Sequence, residues 1–312
     1  MRIAVFGSGG VGGYFGGRLA LAGEDVMFIA RGAHLQAMRV QGLRVESPKG
    51  NFILSSVQAT DDPAQVGRVD VVLVAVKAWQ VPEAAQALYP LIGQETFVVP
   101  LQNGLEAPAQ LAAVLGVERV LGGTCVISSA IAAPGSIRHA GLEPSVSFGE
   151  LDNRPSPRAE RLRQAFARAD VTAIIPADIQ VAIWEKFMAI RFGPVGAVSR
   201  APAGVLRSIT ETRRMIEQAC QETLTVARAR GIALAEDAPR KTMALLDEAP
   251  PGLMASLQRD IMEGRPSELE ALTAALVRLG QEVGVVTPVH AFMYHSLLPQ
   301  ERRARKQVQF PA

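Results

Sequence analysis

Cysteine is nearly absent: Cys125 and Cys220 are the only two in 312 residues. Two thiols cannot build a disulfide framework, and such sparing use fits a reducing compartment. Histidine is scarce as well, and His290 and His295 stand at neither i,i+3 nor i,i+4 spacing. With no Cys/His cluster at ligand spacing, no metal is expected. The GxSxG elbow of an acyl-transfer nucleophile is missing. No uncharged apolar run approaches the ~18 residues of a membrane helix. A strand pattern beginning at residue 2 leaves no room for a secretory signal. The net charge of +2 implies neither a nucleic-acid nor a membrane surface. The basic run at residues 302–306 reads as a solvated tail. A cytoplasmic protein without nucleic-acid or membrane partner is expected.

What is present is concentrated first in residues 1–31. Arg2 to Phe6 reads as a β-branched and aromatic strand that runs into Gly7-Ser8-Gly9-Gly10-Val11-Gly12. A small-residue helix at 13–22 and a second apolar strand at 25–30 follow, ending on Arg31. This is a dinucleotide fingerprint in its strand–turn–helix context. Gly7 permits the tight turn, Gly9 lets the backbone approach a pyrophosphate, and Gly12 lets the helix lie close on the sheet. The helix N-terminus attracts the phosphates. A site that prefers NAD usually carries an acidic residue near the end of the second strand. Here no carboxylate follows Asp25 in that stretch, and Arg31 stands there instead. Guanidinium matches a 2′-phosphate in fork geometry, so NADP is expected; the plain alternative is a solvated strand-end arginine.

Further along, residues 32–41 read as a helix stopped by Gly42, and 43–54 as a strand pair turning at 48–51. Residues 70–76 and 96–101 form continuous apolar runs, as strands buried on both faces should. Helical patterns at 79–91 and 105–115 alternate with them, implying a parallel, doubly wound sheet. Its ligands belong beyond the carboxyl ends of the strands, where Lys77 and Asn103 stand. Residues 120–131, 136–149 and 171–175 read as further strands, and 158–168 as a helix. From residue 178 the pattern is almost wholly helical, broken among other places at Gly193-Pro194. The expected architecture is α/β: a Rossmann-type domain over residues 1–176, then an all-helical domain over 177–312.

In the helical half, Lys186 lies on one stripe with Ile179, Ala182, Ile183, Ala189 and Ile190. Burial would lower its pKa and suit it to proton transfer. A lysine that snorkels to solvent fits the same pattern. Glu268, in a first helical turn after Pro266, is explained better on pattern alone by favourable interaction with the helix dipole. Ser256 and Asp260 share a helix face as a surface pair would. Lys77 is otherwise a loop lysine and Asn103 before Gly104 a turn residue. If the protein is an oxidoreductase, Lys186 is the best candidate proton donor.

Taken together, these motifs resemble the ketopantoate reductase (2-dehydropantoate 2-reductase) family over essentially the whole chain. The resemblance runs from Gly7-Ser8-Gly9-Gly10-Val11-Gly12 through Arg31-Gly32-Ala33-His34-Leu35, Val76-Lys77-Ala78-Trp79-Gln80 and Leu101-Gln102-Asn103-Gly104. It continues in Trp184-Glu185-Lys186-Phe187, Ser256-Leu257-Gln258-Arg259-Asp260, Arg265-Pro266-Ser267-Glu268-Leu269 and Thr287-Pro288-Val289. It implies NADPH-dependent reduction of a 2-oxo acid in pantothenate synthesis, with the active site between the two domains. By that resemblance Lys186 donates the proton and Glu268 holds a substrate hydroxyl. Asn103 and Lys77 lie beside nicotinamide and ribose, with Asn103 also a substrate contact. Ser256 meets the substrate carboxylate, and Arg31 the 2′-phosphate. A homodimer is compatible with this reading. Where the better-known members carry asparagines four and eight residues after the lysine, this chain has Ile190 and Pro194. That departure puts ketopantoate itself in question, with another small 2-oxo acid as the alternative, and Arg191 is a candidate replacement carboxylate ligand. A non-catalytic NADP(H) sensor and a hydroxy-acid or opine dehydrogenase share the plan.

Overall fold

In the computed structural model, which describes residues 1–310, the chain divides into two compact units. One comprises Met1–Gln102 with Glu106–Ala182; the other comprises Asn103–Leu105 with the chain from Ile183 onward.

The first unit is built on strands β1 (Arg2–Phe6), β2 (Asp25–Ile29), β3 (Leu43–Glu46), β4 (Phe52–Leu54), β5 (Gln58–Thr60), β6 (Val71–Val74) and β7 (Phe97–Pro100). Strands β8 (Leu121–Val126), β9 (Ser129–Ala133), β10 (Ser136–His139), β11 (Ser145–Glu150) and β12 (Thr172–Ile174) follow. Helices α1 (Gly10–Leu21), α2 (Gly32–Gln41), α3 (Val81–Ala87), α4 (Ala107–Leu115) and α5 (Pro157–Arg168) connect them. The central sheet is parallel, in the order β5-β2-β1-β6-β7. Alternation along β1 shows why it is wound on both faces. Ile3 and Val5 pack with Tyr14 and Phe15 of α1, while Ala4 and Phe6 pack with Val81 and Leu88 on the α3 side. A strand buried on both faces has no polar side, which is why Val71–Val74 reads as an unbroken apolar run.

Several expectations are corrected in detail. β5 went unread, because Gln-Ala-Thr carries no apolar run and its pairing with β2 is set from outside the segment. The stretches 120–131 and 136–149 each split in two, and none of the four resulting strands joins the parallel sheet. Instead β8 pairs antiparallel with β11, and β9 with β10. The helix expected over 79–91 is three pieces: a 3-10 turn at Ala78–Gln80, α3, and a 3-10 turn at Tyr89–Leu91. Pro90 has no N–H to continue an α-helix, and its ring clashes with the preceding turn.

The second unit is helical: α7 (Phe192–Ser199), α8 (Ala203–Ser208), α9 (Thr210–Ala229), α10 (Ala238–Glu248) and α11 (Ser256–Met262). A π-turn segment, Glu270–Ala274, runs into α12 (Ala275–Glu282), and α13 (Pro288–Ala304) follows. The division between units falls inside α6 (Ile179–Ala189), after Ala182. Gly193-Pro194, expected as a break, lies buried within α7. A proline in the first turn removes an N–H that has no intrahelical partner anyway. The break falls earlier, at Ile190-Arg191. No helix of the described residues is long and apolar enough to cross a membrane.

Candidate functional site

In the sheet unit the glycine loop is fixed by its own backbone. The N–H groups of Gly7 and Ser8 and the Ser8 hydroxyl all donate to the Ile29 carbonyl at the end of β2, each at 3.1 Å. Gly7 has φ +100°, and a Cβ there would lie 2.7 Å from the Val76 nitrogen. A Cβ on Gly12 would come within 2.2 Å of the Gly7 carbonyl oxygen and 2.9 Å of Val5 Cγ1, so only glycine lets α1 lie on β1. Gly10 serves packing too: its Cβ would meet the Ser129 carbonyl of β9 at 2.6 Å. Gly9 is different. Its φ is −72° and no protein atom lies within 4 Å of a Cβ built there. Neither strain nor packing in the protein demands glycine at that position, whereas a ligand backed onto the loop would. The first turn of α1 carries no acidic residue, so its free N–H groups face no competing carboxylate. The donor set and the open position together fit a dinucleotide pyrophosphate.

His34, from α2, pins this loop. Gly135 N–H donates to Nδ1 at 3.0 Å, so the ring proton sits on Nε2, which donates to the Ser8 carbonyl at 2.9 Å. Burial holds its pKa below the ordinary histidine value. Sequence reasoning assigned His34 no task; its offset from the second strand was the only signal. Arg31 is exposed at the start of α2 and its guanidinium stands 3.7 Å from Glu83, itself exposed. Such a pair is worth little, so Arg31 remains available to an anion. Lys77 follows β6, with its ammonium 5.9 Å from the Trp79 ring centre. Gln102 spans the ends of β6 and β7, donating to the carbonyls of Val74 (2.8 Å) and Val76 (3.2 Å).

Lys186, Glu268, Asn103 and Ser256 all belong to the helical unit. The inclusion of Asn103–Leu105 there was not foreseen. Gly104 explains it: at φ +109° it bends the chain so that its Cβ position lies 3.3 Å from the Ala271 carbonyl oxygen. Beside it the Asn103 amide donates to Glu268 Oε2 at 3.3 Å. Glu268 is buried, and its carbonyl accepts from Leu272 N–H at 2.9 Å. Its neighbour Ser267 is held by α13. Glu301 accepts from the Ser267 N–H and hydroxyl, and Arg305 links Glu301 back to the Ser267 carbonyl. This buried scaffold had no sequence signature, since its parts lie far apart in the chain.

Lys186 is half-buried on α6, while Ile183, Trp184, Phe187 and Met188 are buried around it. Ser256 opens α11 and is half-buried. Its helix lies tightly on α7: a Cβ on Gly193 would sit 2.8 Å from that of Ala255. Asp260, on the same helix, is paired with Arg265. Ile190 is half-buried in the turn between α6 and α7, and Pro194 is fully packed. Arg191 does not replace a lost substrate ligand. It is wholly inaccessible, and its guanidinium donates to the carbonyls of Phe187 and Leu272. The described residues contain no group of His, Cys, Asp and Glu able to hold a metal.

A parallel sheet with this loop, followed by a helical unit carrying a lysine and a buried glutamate, defines a nicotinamide-dependent oxidoreductase. The family model described as "Ketopantoate reductase PanE/ApbA" matches residues 3–153, and its C-terminal counterpart matches 178–301. The chain therefore belongs to the ketopantoate reductase family. It is similar to an uncharacterized oxidoreductase of Bacillus subtilis, YkpB, at 30% identity, covering 95% of this chain and 98% of that one. It is similar to a 2-dehydropantoate 2-reductase of Mesorhizobium japonicum at 29% identity, covering 92% and 94%. The crystal structure of 2-dehydropantoate 2-reductase from Geobacter metallireducens superimposes with a TM-score of 0.90 at 29% identity, covering 96% and 99%.

Proposed function

We propose that the protein reduces a small 2-oxo acid to the 2-hydroxy acid with NADPH, and that 2-dehydropantoate, a step of pantothenate synthesis, is its first candidate substrate. The observation that carries the proposal is the Asn103–Glu268 hydrogen bond within the unit that also bears Lys186. An ionised carboxylate offers about four acceptor sites, so Glu268 can hold the Asn103 amide and accept from a substrate hydroxyl as well. Asn103 in turn fixes the carboxylate's orientation. Bound in the sheet unit by the loop from Gly7 to Gly12, with Arg31 on the 2′-phosphate and Lys77 near the ribose, the nicotinamide supplies hydride. Reduction of a ketone develops alkoxide charge on oxygen, and Lys186 both stabilises that charge and donates the proton that completes the hydroxyl. The Ser256 hydroxyl meets the substrate carboxylate.

One observation favours a neighbouring substrate. Ile190 presents a half-buried apolar side chain one turn after Lys186, and Pro194 has no side-chain donor. A site lacking amides at these two positions suits a 2-oxo acid with an apolar side chain better than one with a hydroxyl. Steady-state NADPH oxidation across 2-dehydropantoate and apolar 2-oxo acids, with Lys186→Ala alongside, tests both. The reading expects turnover with at least one of them, falling ~100-fold or more in the variant. Equal turnover in variant and wild type removes Lys186 as the acid.

A further inference from the structure

We propose that Arg191 is a positioning residue: its guanidinium clamps the backbone beside Lys186 to the turn that carries Glu268, and so sets one group's place relative to the other. The proposal rests on the roles given above to Lys186 and Glu268.

Arg191 follows the C-terminus of α6 and stands at the position just before α7, to which its side chain gives no capping bond. Its backbone N–H donates to Met188 at 3.0 Å. The Phe187 carbonyl, which that N–H would take in an unbroken helix, receives the Arg191 Nε–H instead, at 2.8 Å. A cationic side chain thus closes the carbonyl end of α6, where the helix dipole favours it. The guanidinium carbon also lies 3.6 Å from the centre of the Phe187 ring, so the group is stacked as well as bonded.

The other end of the fork reaches across the unit. Nη1 donates to the Leu272 carbonyl in the π-turn segment Glu270–Ala274, and Leu272 N–H donates to the Glu268 carbonyl. Three hydrogen bonds therefore link Phe187, the residue beside Lys186, to Glu268, and Arg191 makes two of them. π-turns inside helices recur at functional sites, because the inserted residue re-aims the side chains around it.

Packing alone does not account for an arginine here. It is 0% exposed, has no carboxylate partner among the described residues, and leaves Nη2 without a hydrogen bond. Burial lowers its pKa to about 9, so it stays charged at neutral pH, and the nearby Cys220 thiol, pushed up to about 12 by burial, stays neutral. A buried charge without a carboxylate partner opposes folding, and an apolar side chain of similar volume is often more stable. What methionine cannot supply is the two-ended link.

The test uses Arg191→Met and Arg191→Lys in the full chain, with kcat on the best 2-oxo acid, NADPH affinity and melting temperature measured for each. Misplacing a reacting group by about 1 Å can cost ~100-fold in rate, so kcat in the methionine variant should fall at least ~10-fold. Its melting temperature should match or exceed wild type, and NADPH affinity should hold, since the glycine loop belongs to the other unit. Lysine reaches one carbonyl but not both, so Arg191→Lys should recover part of the rate. A folded methionine variant with wild-type kcat overturns the proposal. So does a kcat loss matched by lost NADPH affinity, or a lysine variant no better than methionine. Should Arg191→Met fail to fold, Arg191→Lys decides: wild-type kcat overturns the clamp, and several-fold loss at unchanged NADPH affinity supports it. Lys186→Ala separates the two levels. Full activity there, or a wild-type enzyme inert toward every 2-oxo acid, overturns the functional reading and the clamp with it. Loss there with full activity in Arg191→Met overturns the clamp alone.

Discussion

Gly9 and Gly12 are three residues apart in one loop, yet alanine at each should fail differently. At Gly12 the added methyl would press on the Gly7 carbonyl and Val5, both fixed parts of β1 and its turn. Overpacking of that kind costs ~1–3 kcal/mol, visible as a lower melting temperature. At Gly9 the methyl meets no protein atom, so stability should change by less than about 1 kcal/mol. NADPH affinity should nonetheless fall at least ~10-fold if the methyl takes the place proposed for the pyrophosphate. Melting curves and fluorescence titration of NADPH read the two effects separately; a Gly9→Ala protein that binds normally contradicts the loop's assignment. These glycines were legible in the sequence because each task is a matter of residue type at fixed spacing. Gly10 has a packing task against β9 as well, which no local pattern announces. Arg191 was misread for the same reason: its partners are backbone carbonyls at Phe187 and Leu272, and carbonyls leave no mark in a sequence.

Among elements, α13 shows how a buried titratable group ties stability to pH. Glu222 of α9 accepts from the N–H groups of Val289 and His290 and from His290 Nδ1–H, closing the first turn of α13. His290 is fully buried, and burial, with the charge of Arg191 nearby, brings its pKa down to about 4 against the opposing pull of Glu222. The folded state thus binds fewer protons than the unfolded chain between pH 6.5 and about 4. Its contribution to stability is present above pH 6.5 and is lost as pH falls through that window. At ~1.4 kcal/mol per unit the loss is on the order of 3 kcal/mol. Denaturant melts of wild type and His290→Gln between pH 8 and pH 4 should show a shallower acid slope in the variant; parallel slopes contradict the assignment. Most elements were legible where propensity and burial agree, as in β6, and in α2 with its Gly42 stop. They were not where tertiary pairing decides, as in β5, or where Gly193-Pro194 sits in a first turn that tolerates proline.

For the whole molecule, the order of short motifs carried the family, and the match of both family models confirms it. The sequence could show that Lys77 and Asn103 end strands, because strand runs are readable. It could not show that Asn103–Leu105 packs with the helical unit, since that follows from Gly104 lying against Ala271. Substrate preference turns on Ile190. If the missing amides set the preference, Ile190→Asn should raise kcat/KM for 2-dehydropantoate relative to an apolar 2-oxo acid, by ~10-fold for one restored hydrogen bond. An unchanged ratio would remove Ile190 as the determinant. The central claim, that this chain reduces a ketone with NADPH, is tested most directly by following the hydrogen itself. The enzyme is given NADPH deuterated at the transferring C4 position together with 2-dehydropantoate and apolar 2-oxo acids, and the products are read by mass spectrometry. The account predicts a 2-hydroxy acid carrying one deuterium on C2, formed by wild type and strongly diminished in Lys186→Ala. Bound cofactor with no labelled hydroxy acid from any of these substrates would contradict it.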